Sequence, residues 1–360
     1  MTFFINLNNK TDFRSIRICL FAIICCSLTS CFSEHSKEKK HWHNLGSGLN
    51  NIAHSFTIYK EELFVAGGFD SAGGGYSRYI SKWDGNKWND FGYIVNNEIL
   101  SMMEFNGSLI IGGSFDTVGK ALSRYIARWD GKEWKTFGNE LNGIVFSLAI
   151  YNGKLIAGGS FDSAGGVPAN HIAKWDGKKW SSVGKGLDGI VITMLVNNEK
   201  LYVGGDFKNS GNIITKHIAV WNDTTWTGLG EGAPGNVSSL AVYHQKIYAG
   251  GESTTAAFSN SNSIYEWDGK SWVIINSGFY NRIVFALKEY NDELYVGGEF
   301  MNSNREMIGL IKWNGEKWTT VGKGFNGTVH ALTIYDKGLF VAGNFTKVDT
   351  IQAQHIACWK

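Results

Sequence analysis

Short apolar runs alternate with turn residues along most of the chain, and one stretch shows the unit clearly. Residues 144 to 151 (IVFSLAIY) predict a first strand, Asn152-Gly153 a turn and residues 155 to 161 (LIAGGSF) a second strand. A nine-residue loop, Asp162 to Asn170, leads to a third strand, His171-Ile172-Ala173-Lys174-Trp175. Asp176-Gly177 is a strong hairpin signal, and Trp180 begins a fourth strand placed to face Trp175 across that hairpin.

The unit repeats. Trp42, Trp88, Trp134, Trp180, Trp226, Trp272 and Trp318 are each 46 residues apart, as are Trp83, Trp129, Trp175, Trp221, Trp267, Trp313 and Trp359. The two series use all 14 tryptophans, and seven units fill residues 39 to 360. Four antiparallel strands per unit predict an all-β, seven-bladed β-propeller. The chain stops one strand short of a complete seventh unit, while Trp42 starts a fourth-type strand with no three before it. The N-terminal strand is therefore expected to close the last blade, leaving no unpaired edge at the junction. Gly67, Gly113, Gly159, Gly205, Gly251, Gly298 and Gly343 recur late in the second strand, where missing side chains are expected to let neighbouring sheets approach.

Composition agrees with a large β-rich core: 43% hydrophobic residues, 45 glycines, 22 phenylalanines and only 2 prolines exclude a disordered or collagen-like chain. The formal charge of +2 comes from Lys10, Arg14 and Arg17 against Asp12, so everything from Cys31 onward is neutral. Such a body has no basic face for counterion-release binding, which argues against a nucleic acid partner.

Residues 1–30 read as an address. Arg14 and Arg17 precede an apolar run, Ile18 to Leu28 (ICLFAIICCSL), too short for a helix that needs about 20 residues to cross a bilayer. The ending Leu28-Thr29-Ser30-Cys31 resembles a bacterial lipobox, which implies cleavage before Cys31 and acylation of its thiol. An ordinary signal peptide cut elsewhere is the alternative. Residues 31–38 then form a polar tether to the propeller at 39–360, and Cys358 is the one cysteine left in the folded body. By resemblance to enteric sorting, the lack of Asp after Cys31 implies an outer-membrane, lipid-anchored protein of the bacterial cell envelope.

The double glycine followed by a spaced aromatic pair resembles the kelch repeat and the central domain of galactose oxidase. The pattern GG-S-F-D followed by H-I-A-K-W-D-G-K-K-W is similar to repeats of bacterial surface proteins and of a fungal cortical polarity marker. The resemblance implies the propeller fold and little about activity. The copper site of galactose oxidase needs a cysteine cross-linked to a tyrosine, and Cys358 lies in a third strand away from the axis, so no cofactor is expected.

Equivalent positions form rings. Tyr79, Tyr125, His171, His217, Ser263, Gly309 and His355 begin the third strands, whose neighbours stand ~15 Å apart, too far to share a metal with bonds of about 2 Å. On the innermost strands Ser55, Ser101, Ser147, Thr193, Ser239, Ala286 and Ala331 form a ring of small side chains. The alternate face carries His54, Leu100, Phe146, Ile192, Ser238, Phe285 and His330 and is expected to pack between sheets. Ring closure brings His54 and His330 to adjacent strands about 5–8 Å apart, with Glu98 on the next blade, a candidate metal or ligand site. No catalytic motif accompanies them. The expected function is a monomeric, non-enzymatic scaffold binding a protein, peptide or glycan through the loops after the second strand, Asp70 to Ser77, Asp116 to Ser123, Asp162 to Asn170, Lys208 to Lys216 and Ser253 to Asn262. The alternative is an enzyme acting on a carbohydrate or small molecule at the mouth of the central channel.

Overall fold

The computed structural model describes residues 40–91, 95–138, 141–252 and 263–360. The signal peptide, the tether, Cys31 and the loop Ser253 to Asn262 lie outside the described residues. Among the described residues seven four-stranded antiparallel sheets form the blades of a propeller, with no α-helix. Blade 3 is representative: Val145–Tyr151 runs innermost, followed outward by Lys154–Gly159, Ile172–Trp175 and Trp180–Ser182. Blade 7 takes its inner three strands from Thr328–Tyr335, Gly338–Asn344 and Ile356–Trp359, and its outer strand is Trp42–Asn44. The closing register pairs Trp42 with Trp359, His43 with Cys358 and Asn44 with Ala357. His41 N–H donates to the Lys360 carbonyl at 2.8 Å and extends that ladder by one residue.

Every blade ends in a tryptophan pair across its outer hairpin. The indole centroids lie 5.4 Å apart for Trp175 and Trp180, 5.2 Å for Trp221 and Trp226, and 5.0 Å for the closing pair Trp42 and Trp359. Tilted aromatic pairs at this distance contribute about 0.5–1.5 kcal/mol each beyond area burial.

The glycine series has a different cause from the one expected. Each inner strand carries a β-bulge near its start, between Val145 and Ser147 in blade 3 and at the equivalent place in the other six. The extra residue folds the preceding carbonyl across the second strand, where a Cβ on Gly159 would stand 1.9 Å from the Ile144 oxygen. Gly113, Gly205, Gly251 and Gly343 meet the same obstacle from their own blades' inner strands. Close approach between sheets belongs instead to the preceding residue: a Cβ on Gly158 would lie 2.4 Å from Val191 Cγ1 of the next blade. Blades 1 and 7 carry Ala66 and Ala342 there, and Ala342 stands beside Ala53, where most other blades have valine.

Hydrogen bonds stitch the blades side by side. Ser101 Oγ accepts from Leu148 N–H at 3.2 Å, and Ser239 Oγ accepts from Leu287 N–H at 2.9 Å, so the ring of small residues includes inter-blade acceptors. Tyrosines at the ends of inner strands donate to the next blade's hairpin, as Tyr290 does to the Lys337 carbonyl at 2.7 Å. Tyr335 donates to the Glu61 carbonyl at 3.1 Å, across the closing junction.

Four of the expected loops are miniature two-stranded ribbons, such as Ser71–Ala72 with Gly75–Tyr76 and Asn209–Ser210 with Ile213–Ile214. Each ribbon is pinned to the link entering its own blade. The Asn142 side-chain oxygen accepts the Asp162 and Ser163 N–H groups at 3.0 Å, and Asp188 accepts from Lys208 and Asn209 in the same way. The ribbons share one face of the disk with these links, and the tight hairpins occupy the other face.

Gly159→Ala and Gly158→Ala should differ in kind. The first forces a methyl into backbone and should cost more than the roughly 1–3 kcal/mol typical of overpacking; the second meets only a side chain and should be relieved by Val191→Ala. Urea denaturation of the two singles and two doubles with Val191→Ala checks this; equal rescue of both would contradict the bulge assignment.

Candidate functional site

The ring that begins with His54 sits on the bulges of the inner strands. His54, Leu100, Phe146, Ile192, Ser238, Phe285 and His330 are the bulged residues themselves, each lacking a cross-strand partner, and all seven are half-buried. A bulge re-aims the side chain it carries. The bulges lie near the starts of the innermost strands, at the end of the axis nearer the ribbon face.

Ring closure brings the two histidines together. His54 and His330 have centroids 5.9 Å apart in an edge arrangement, and His330 stacks on Phe285 of blade 6 at 4.2 Å and 13°. Three aromatic rings thus run across consecutive blades at the junction. His330 Nε2 lies 2.8 Å from Thr328 Oγ1, a hydrogen bond whose direction depends on the tautomer. His54 Nε2 lies 3.7 Å from Glu98 Oε2 of blade 2, close enough for attraction and too long for a direct hydrogen bond.

Glu98 owes its position to a glycine. A Cβ on Gly68 would stand 2.7 Å from Glu98 Oε1, so the missing side chain of blade 1 leaves the space that the carboxylate fills. The other blades have Ser114, Ser160, Asp206, Glu252, Glu299 and Asn344 at that position. Sequence reasoning missed this pairing, although Gly68 is out of pattern in its own column.

Burial lowers the pKa of both imidazoles. His330 is pushed down to about 4 by burial and by the neighbouring His54; His54 is lowered by burial, with Glu98 opposing. Both rings are therefore uncharged near neutrality. The arrangement offers a neutral imidazole beside a carboxylate, suited to hydrogen bonding or to modest acid–base work at the channel wall. Among the described residues no three His, Cys, Asp or Glu side chains converge in a way that could hold a metal ion. Cys358 is buried in blade 7, and burial pushes its thiol pKa up to about 12, so it stays protonated.

The third-strand ring serves the backbone. Tyr79, Tyr125, His171, His217 and His355 hold left-handed φ values of 62° to 71°. His171 N–H donates to the Phe161 carbonyl at 2.8 Å while its own carbonyl accepts from Gly159 at 3.0 Å. His355 Nδ1 also contacts the Gly343 carbonyl at 3.0 Å. These residues fasten the ribbons to the second strands and do not meet one another.

His330 sets an acid limit on stability. Its folded pKa lies below the ordinary imidazole value of 6.5, so the unfolded chain binds the proton first as pH falls. The contribution is complete above pH 6.5 and declines between about 6.5 and about 4. His330→Phe, which copies Phe146 and Phe285, should flatten that part of a melting-temperature profile; an unchanged slope would assign the acid sensitivity elsewhere.

Comparison with known proteins agrees with the propeller architecture. A family described as "Rax2 C-terminal beta propeller domain" matches residues 150–288, and no match was found among curated proteins. Among solved structures the chain is similar to the WD40 β-propeller domain of Doa1, at 14% identity and a TM-score of 0.54, covering 89% of this chain and 97% of that one. It is also similar to the computationally designed Ika8 protein, at 14% identity and a TM-score of 0.50, covering 87% and 97%. The extracellular domain of the putative hybrid two-component system BT4673 from B. thetaiotaomicron aligns at 12% identity and a TM-score of 0.58, over 89% of this chain and 39% of that one. These identities speak for the fold, a seven-bladed β-propeller, and for nothing finer.

Proposed function

We propose that the chain is a non-enzymatic binding scaffold of the bacterial envelope, anchored through acylated Cys31 and engaging a protein or peptide with its ribbon face. One observation carries the reading. Tyr76, Leu122, Val167, Ile213 and Ile214 stand exposed on the ribbons of blades 1 to 4, with Leu122 at 55% and Ile214 at 65% accessible. These are half of the exposed large hydrophobic residues among the described ones, and they lie along one arc of one face. Exposed apolar patches on a soluble body mark interaction surfaces.

The pinned ribbons add to the case, because a surface held by the Asn142 and Asp188 contacts has little left to order when a partner binds. Aliphatic tips favour a protein or peptide over a glycan, whose hydroxyls need more polar partners. The kelch-type pattern of double glycine and paired aromatics fits the same role, since strands are kept while ribbon tips vary. The second reading, an enzyme at the channel mouth, is favoured by the closeness of His54 to Glu98.

A photo-crosslinker at position 122 in intact cells should trap a discrete partner, and one at position 150, on an inner strand, should not. Ile214→Ser should cut the yield severalfold while His54→Leu leaves it unchanged. The reverse pattern would favour the channel site. Separately, Cys31→Ala should abolish incorporation of labelled fatty acid; acyl label retained by the mutant would overturn the anchor.

A further inference from the structure

On the hairpin face, the inner strands of blades 4 to 7 wall a cavity of about 570 Å³, at the opposite end of the channel from the histidine pair. That volume lies within the range of small-molecule sites, about 300–1,000 Å³. Leu195, Val242, Leu287 and Ile334 supply aliphatic walls, and Lys288 and Lys337 contribute amines on the side of blades 6 and 7. Lys288 is an exception in its column. The equivalent positions hold Thr57, Met103, Ala149, Leu195, Ala241 and Thr333, none of them ionisable.

Three carboxylates on this face already have side-chain partners. Glu293 pairs with Lys312 at 2.8 Å, Asp336 with Lys360 at 2.7 Å and Asp292 with His244 at 2.8 Å. Among the described residues no ion pair involves Lys288 or Lys337, and the one carboxylate in the lining is that of exposed Glu289. Lys288 is thus half-buried in a lining that is largely aliphatic on the side of blades 4 and 5, and among the described residues no ion pair engages it, so its amine is available to an anion. We propose that this end of the channel binds an amphipathic anion, a carboxylate with an aliphatic chain, its head on Lys288 and Lys337 and its chain along Leu195 and Val242. Ile150 and Val196 are also exposed, on the inner strands of blades 3 and 4.

The probe is octanoate, kept below its micellar concentration and titrated calorimetrically into the purified full-length chain. Saturable binding of one molecule is expected. Lys288→Met, which copies Met103, should weaken it at least tenfold at an unchanged melting temperature, and Lys337→Met should weaken it less. Leu122→Ser on the ribbon face should leave it unchanged, which separates this site from the partner surface. Equal affinity for octanol or for octyltrimethylammonium would overturn the proposal, as would the absence of saturable binding or full affinity in both lysine variants.

Discussion

A carbonyl pressed against a glycine governs this molecule. Seven inner strands converge on one axis, and each bends there by inserting one residue opposite its partner strand. The inserted residue swings the preceding carbonyl over the second strand, as Ile144 does over Gly159, and no side chain fits beneath it. The displaced carbonyl is still satisfied, because Ser160 N–H donates to it at 2.9 Å. The same bend leaves one residue per blade near the axis without a cross-strand partner, and so less constrained by strand pairing. Their variety, from Ser238 through Leu100 to His54, follows from that freedom.

Around this inner collar the blades are joined by short polar links. Serine hydroxyls accept backbone N–H groups from the following inner strand, and tyrosine hydroxyls reach the following hairpin. Each link is worth only about 0.5–1.5 kcal/mol, yet they recur from blade to blade and cross the junction at Tyr335 and Glu61. Apolar contact between sheets carries the larger share, with Val191 seated over Gly158 as its repeated unit. The result is a stiff disk in which ribbon tips and channel residues can change without disturbing the frame.

Much of this was legible in the sequence. The tryptophans announced seven units because a paired indole is needed wherever an outer hairpin must bury itself, and the orphan strand at Trp42 announced how the ring closes. The bulges were hidden, since every blade has one and a constant insertion leaves the period untouched. Their trace was Gly159 and its equivalents, whose cause cannot be read without knowing which strand faces them. The histidine pair was predicted from closure alone, whereas the place of Glu98 depended on Gly68, a gap in another blade. Lys288 passed unnoticed because a single lysine in a column of small and aliphatic residues gains meaning only beside a cavity, and the cavity is formed by four blades together.

The junction also fixes an order of events. Trp42 and Trp359 pair directly, although almost the whole chain lies between them. A ribosome makes Trp42 long before Trp359. Six blades can assemble from neighbouring segments as they emerge, but the seventh must wait for Ile356–Trp359 and then recapture a strand released long before. Loop-closure entropy grows only slowly with length, so this final step is late rather than prohibitive. Until it occurs, the growing protein is an open arc with two exposed sheet faces, and its moment of greatest exposure to chaperones, proteases or other copies comes just before blade 7 closes.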